Sequence, residues 1–260
     1  MNKYLAKLRP IYRFPYALFI SSKRKLLQYF LRKPKKYIEI IDQINKKGFA
    51  NCTNIFDKDC HVELQKIEKK LEKKFKSKIK KSFLRFLNFH LDNELPKNLL
   101  DLTDDIAKSF FKHKYVKLES SQYQISLSNS KELPGMGYHV DDYGGILKFY
   151  VFFHEINERN GPFKILTKSK NFMGFFKGFL WLWLTKLNST YFESTEISED
   201  ILKSEEKLFC KNYSIFAIDT SFLHSSSKII EGERRVMVLV YKDYLLDLYQ
   251  KKCSREFITG

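Results

Sequence analysis

Between residues 59 and 91 apolar side chains recur at three- and four-residue steps. Leu64, Ile67, Leu71, Phe75 and Ile79 form one stripe, while Lys69, Lys70, Lys73, Lys74 and Lys76 lie largely off it. That period predicts an amphipathic helix from Asp59 to about Leu91, with its apolar face on a core and its basic back in water. Asp57 or Asp59 is placed to cap it. Beyond about residue 113 the texture changes. Segments 115–118, 123–127, 147–153, 213–218 and 236–241 are short, β-branched and aromatic, and turn residues separate them. Such segments predict strands, and strands that follow a helical part predict a β-sandwich or barrel with helices packed outside. No internal repeat is visible.

Hydrophobic residues make up 43% of the 260, and 24 Phe and 15 Tyr are among them. That is ample material for a core and rules out global disorder. The net charge of +17 is unevenly spread. Residues 1–100 carry 25 Lys and Arg against 9 Asp and Glu, and residues 101–260 carry 22 against 21. A basic half of this kind attracts nucleic acid, an anionic membrane or an anionic substrate, and equally describes a solvated lysine-rich surface. Cys52, Cys60, Cys210 and Cys253 form no C-x-x-C pair, which points to reduced thiols, an intracellular setting and no structural zinc. No apolar run approaches the ~20 residues of a membrane span, and the short run at 14–20 lacks a cleavage site behind it, so no signal peptide is expected.

Two segments mix rings with bases or stand out as aromatic. Residues 1–37 interleave them, as in Arg9-Pro10-Ile11-Tyr12-Arg13-Phe14-Pro15-Tyr16. Such an arm suits a membrane surface, suits single-stranded nucleic acid, or packs its rings on the domain. Residues 171–191 hold Phe172, Phe175, Phe176, Phe179, Trp181, Trp183 and Tyr191. That run can wall a pocket, touch a lipid, or form a helix against the barrel.

The residues with the clearest chemistry are Tyr138-His139-Val140-Asp141-Asp142. On an extended chain residues i and i+2 share a face, so His139 and Asp141 can reach one point together. A third ligand would complete a facial two-His-one-carboxylate triad. His224, at the end of the strand-like 213–220, is the best candidate. By itself His-x-Asp is a weak signal, and His61, His90, His113 and His154 have no comparable partner. Ten residues after His224 comes Glu233-Arg234-Arg235, opening a strand. A guanidinium at the start of a buried strand calls for an anion, which a dicarboxylate could supply through two parallel bonds. The alternative is surface ion pairs of Arg234 and Arg235 with Glu231 or Glu233.

His139-Val140-Asp141, the strand 147–153 with Lys148, Asn160-Gly161-Pro162-Phe163, Ser169-Lys170, and finally His224 with Arg234 come in an order and spacing that resemble the phytanoyl-CoA dioxygenase-like family. The likeness runs over roughly residues 45–245 and begins at Lys47-Gly48-Phe49. It departs at Ser169-Lys170, where the family reads Ser-His, and residues 1–40 have no counterpart. The resemblance implies an α+β chain with a mainly β core, a double-stranded β-helix of the jelly-roll or cupin kind with N-terminal helices packed on it. It implies Fe(II) and 2-oxoglutarate as cofactors, His139, Asp141 and His224 as catalytic metal ligands, and Arg234, or less favourably Arg235, as the partner of the cosubstrate's distal carboxylate. A carboxylate at position 141 implies hydroxylation, since a small residue there marks halogenating variants.

The expected layout is a basic aromatic arm at 1–40 and a single oxygenase domain at 41–260. Within that domain the helical part is about 41–112, the double-stranded β-helix about 113–245, and an insertion about 171–205. The expected partner is a small-molecule substrate, anionic or lipid- or glycan-linked, with peripheral membrane contact through 1–37 left open and nucleic acid not expected. The expected location is cytoplasmic, with the inner face of a membrane as the alternative. Two competing readings remain. One is a silent barrel that binds membrane or nucleic acid through its basic half. The other is a zinc hydrolase, for which the three ligands would serve but no general base is evident.

Overall fold

The structure is a computed structural model, and it describes residues 36–75, 83–88, 95–112, 114–128, 136–141, 145–170 and 191–244. The arm at 1–35, the aromatic run at 171–190, His90 and His113 lie outside the described residues.

Three helices lie in the N-terminal part, with a short strand after each of the first two, and they owe their limits to local chemistry. Helix α1 (Ile38–Lys47) buries Ile41 and Ile44 and stops at Gly48, whose φ of 88° no β-carbon tolerates well. Helix α2 (Lys58–Phe75) starts where the Asp57 carboxylate accepts the Cys60 backbone N–H at 2.7 Å, so Asp57 is the cap. It buries Cys60, Leu64, Ile67 and Leu71 along one stripe, as the period predicted. Helix α3 (Lys97–Phe111) follows Pro96 and buries Leu99, Thr103, Ile106, Ala107 and Phe110. Among the described residues no helix is long and apolar enough to cross a membrane.

The predicted helix to Leu91 is corrected downstream of α2. Residues Phe83–Leu87 form a strand, β2, paired to β3 (Val116–Leu127). Its burial alternates along the strand: Leu84 and Phe86 pack on the core, while Arg85 and Leu87 are exposed. An open sheet edge outweighed a helical pattern extrapolated from the preceding turns. The segments 115–118 and 123–127 are likewise one strand. The polar Ser120-Ser121-Gln122 between them, read as a break, pairs with β11 (Glu233–Asp243) beside a register shift.

With β1 (Phe49–Asn51), β5 (Ile146–Phe152) and β9 (Ser214–Asp219), these strands build a six-stranded antiparallel sheet in the order β1-β9-β5-β11-β3-β2. A second antiparallel sheet faces it, built from β4 (Tyr138–His139), β6 (Phe163–Leu166), β7 (Tyr191–Phe192), β8 (Glu205–Leu208) and β10 (His224–Ser226), in the order β7-β4-β10-β6-β8. The short α4 (Glu199–Leu202) leads into β8. The two sheets form a double-stranded β-helix.

Alternation along the central strands separates two cores. Leu147, Phe149, Val151, Met237, Leu239 and Tyr241 face the helices. Phe152, Val236, Val238 and Val240 face the second sheet and meet Phe163, Ile165 and Phe222 there. Lys148, Tyr150 and Arg234 share this inner parity, so three polar groups project between the sheets.

Burial pushes the thiols of Cys52 and Cys60 up to about 12 each. At pH 8 neither carries appreciable thiolate, which is the reactive form. A colorimetric thiol reagent should leave both unmodified in the native protein and label them once it is unfolded. Fast labelling of either in the native state would contradict their place in the helix-facing core.

Candidate metal centre

The register of the second sheet sets His139 directly opposite His224 on neighbouring strands. Asp141 follows His139 by two residues, and its N–H donates to the Thr220 carbonyl at 3.1 Å, which folds the carboxylate back over both rings. One ligand atom from each of His139, Asp141 and His224 lies within 4.8 Å of the other two. His224 Nε2 is 3.2 Å from Asp141 Oδ2, and His139 Nε2 is 3.9 Å from Asp141 Oδ1. The two imidazole centroids are 4.3 Å apart. The three residues singled out from sequence therefore converge, although 83 residues separate the last two.

Each ring is oriented by a backbone carbonyl two residues earlier. His139 Nδ1 sits 2.8 Å from Gly137 O, and His224 Nδ1 sits 2.8 Å from Phe222 O. A carbonyl only accepts, so each Nδ1 carries a hydrogen, and that bond turns each Nε2 toward Asp141. Phe163 stacks on His224 at 5.3 Å and closes its other face.

Burial, followed by the neighbouring His224, holds His139 below the ordinary imidazole value, which favours the neutral ligand form. Burial alone would raise Asp141. The His224 hydrogen bond and the Lys148 charge outweigh it and hold the carboxyl well below the usual range. Lys148 Nζ stands 2.8 Å from Asp141 Oδ2. Burial would lower this lysine, but Tyr150 and Asp141 raise it on balance. The centre thus brings two imidazoles and one carboxylate together, the donor set of a facial triad.

Arg234 and Arg235 separate cleanly. Arg235 faces outward and pairs with Glu72, with Glu233 at 2.6 Å and with Glu68 at 3.9 Å. Arg234 is only 6% exposed, projects between the sheets, and donates to the Gly161 carbonyl. Among the described residues it meets no carboxylate. Burial pushes its guanidinium down to about 10, with Tyr150 acting in the opposite sense. The ion-pair alternative thus applies to Arg235 and not to its neighbour.

His154 does have partners that its sequence context did not suggest. Its Nε2 lies 3.4 Å from Glu68 on α2 and 3.8 Å from Glu233, on the helix side of the sheet. Only packing of α2 against β5 and β11 brings these groups together. No single-strand pattern marks them.

No protein-family model matches the chain, and no curated protein does. Solved structures do match. AviO1 from Streptomyces viridochromogenes Tue57 superposes with a TM-score of 0.55 at 14% identity, covering 82% of this chain and 97% of that one. HygX from Streptomyces hygroscopicus, with nickel and 2-oxoglutarate bound, gives 0.52 at 12%, covering 80% and 88%. The epimerase SnoN, in complex with Fe3+, alpha-ketoglutarate and nogalamycin RO, gives 0.55 at 10%, covering 79% and 82%. Fold and site together define a double-stranded β-helix protein with a two-His-one-carboxylate centre. Its fold is the one that these structures share, and two of them hold a metal with 2-oxoglutarate or alpha-ketoglutarate.

Proposed function

We propose that this chain is an Fe(II)- and 2-oxoglutarate-dependent dioxygenase of the phytanoyl-CoA dioxygenase-like kind, which hydroxylates a C–H bond of a small molecule. His139 and His224 would hold iron through Nε2 and Asp141 through a carboxylate oxygen. Arg234 would pair with the distal carboxylate of 2-oxoglutarate. Arg235, engaged with Glu68, Glu72 and Glu233, is left out of the cofactor site.

Arg234 is the observation that carries this reading. The three ligands alone would suit zinc equally well. A buried guanidinium without a carboxylate is costly in a resting protein, and it makes sense where an anionic ligand completes it. It lies on the inner face of the large sheet, as do Lys148 and Tyr150 beside Asp141. Neither a zinc hydrolase nor a silent barrel explains it, and a silent barrel has no need for three converged ligands.

Bound iron and 2-oxoglutarate supply, with dioxygen, an oxidant able to take hydrogen from an unactivated C–H bond. The chain supplies the rest. Gly137 O and Phe222 O fix the imidazoles, Lys148 holds Asp141 ionised, and Phe152, Phe163, Val236 and Val238 keep water from the inner core. The carboxylate at 141 supports hydroxylation over halogenation. The basic balance of residues 1–100 supports an anionic substrate.

The test is an anaerobic titration of the metal-free protein with Fe(II) and 2-oxoglutarate, following the weak visible charge-transfer band of the chelate. Wild type should show the band and His139→Ala should not. A folded wild type without the band, and with tight zinc binding instead, would sink the oxygenase reading.

A further inference from the structure

Ser169-Lys170 stands where the resembling family carries Ser-His, and the structure gives the lysine a partner. Lys170 Nζ donates to Asp219 Oδ2 and lies 4.9 Å from the centroid of the Phe222 ring. Asp219 ends β9 and is 0% exposed. Its other oxygen accepts the Ser221 N–H at 3.1 Å and the Ser221 hydroxyl at 2.7 Å. The carboxylate therefore closes the turn from 219 to 223 on itself, and the lysine anchors that carboxylate to the loop after β6.

This turn touches two of the three metal ligands. Thr220 O accepts the Asp141 N–H at 3.1 Å, and Phe222 O accepts the His224 Nδ1–H at 2.8 Å. Leu223 is held on both sides: its carbonyl accepts the Leu166 N–H at 2.9 Å, and its own N–H donates to Ser169 Oγ, also at 2.9 Å. Ser169 Oγ in turn donates to Leu166 O at 2.6 Å. Every residue from 219 to 223 is thus fixed or fixes something, and the chain of contacts ends at the ligands.

We propose that Lys170 and Asp219 are positioning residues of the metal centre: their ion pair sets the 219–223 turn, and the Thr220 and Phe222 carbonyls carry that setting to Asp141 and His224. The proposal rests on the metal reading of the triad. The physical reason is the burial of Asp219. A fully buried carboxylate holds tightly to the one place where a cation and two donors meet it, because every other position leaves it unpaired.

The probe is Co(II) added to the full metal-free chain, read by its visible ligand-field absorption, by titration, and beside thermal melts. Lys170→Met should weaken Co(II) binding by roughly 10- to 100-fold, the range seen when groups behind a ligand are lost, and should alter the absorption. Lys170→Arg, which keeps the charge, should restore both. Leu64→Ala, in the helix-facing core, should lower the melting temperature without moving Co(II) affinity.

Wild-type affinity and absorption in a folded Lys170→Met protein would overturn the proposal. So would an equal loss of affinity in Leu64→Ala, since the effect would then be general instability. If Lys170→Met does not fold, Asp219→Asn, which keeps the side-chain shape, decides: weakened Co(II) binding supports the clamp and unchanged binding overturns it. A wild type whose Co(II) absorption does not depend on His139 would bring down the metal reading itself, and the proposal with it.

Discussion

Arg234→Met is expected to raise the 2-oxoglutarate concentration needed for half-saturation by on the order of 100- to 1000-fold, with Fe(II) binding unchanged. Truncating one partner of a buried, hydrogen-bonded charge pair typically costs about 2–5 kcal/mol, and every 1.4 kcal/mol is tenfold in affinity. The same substitution should raise the stability of the metal-free protein. Its guanidinium is buried on the inner face of the large sheet, where among the described residues it donates only to the Gly161 carbonyl, and burial already pushes it down to about 10. A methionine removes that cost while keeping the apolar stem.

Arg235→Met should behave in the opposite way. It should leave the cosubstrate requirement where it was and lower the melting temperature, because it strips cationic partners from Glu68, Glu72 and Glu233 on the helix side. Titration of the charge-transfer band with 2-oxoglutarate, beside thermal melts of the metal-free proteins, reads both effects. Equal weakening by the two substitutions would deny Arg234 its special role.

Gly48→Ala is expected to destabilise the fold by about 2–5 kcal/mol. A left-handed backbone costs an alanine roughly 1–2 kcal/mol, and overpacking adds about 1–3. Gly48 has φ of 88°, and a β-carbon there would stand 2.7 Å from Ile165 Cδ1 and 2.7 Å from the Phe222 ring. The position joins three parts of the molecule. Its N–H donates to Ile44 O at 2.8 Å and ends α1, and its carbonyl accepts the Asp219 N–H, also at 2.8 Å. Moving Phe222 to admit a methyl would disturb the carbonyl that orients His224. A melt roughly 4–20 °C lower, at roughly 2–4 °C per kcal/mol for a chain of this size, should therefore come with weaker metal binding. A Gly48→Ala protein that melts like wild type would show that the tight approach is not there.

Much of the site was legible in the sequence, for a simple reason. His139 and Asp141 are two residues apart on an extended chain, and a period of two delivers them to one side without help from the rest of the fold. The cap of α2 was legible in the same local sense, as Asp57 or Asp59, and Asp57 is the one that accepts the Cys60 N–H. Arg234 could be proposed from its place at the head of a strand. Its distinction from Arg235 could not be settled there, because adjacent residues on a strand face opposite ways and the pattern does not say which way is inward.

Where local and long-range preferences competed, the sequence misled. Phe83–Leu87 continues the apolar steps of the preceding helix closely enough to be mistaken for it, yet the free edge of β3 claims it as a strand. The short strands β6, β8 and β10 carry too few residues for any period to show.

By itself, then, the sequence determined the presence of a helical part ahead of a β part, the pairing of His139 with Asp141, and the candidacy of His224 and Arg234. The first two rest on spacing within single segments, and the candidacy of His224 and Arg234 rests on their places beside strands and on the order of motifs along the chain. Tertiary structure decided the rest. It set His224 opposite His139, turned Arg234 inward and Arg235 outward, gave His154 its glutamates, and brought Lys170 to Asp219. Those outcomes depend on which strands become neighbours, and sheet register is fixed by the sum of many weak pairings across the whole domain rather than by any residue's immediate sequence.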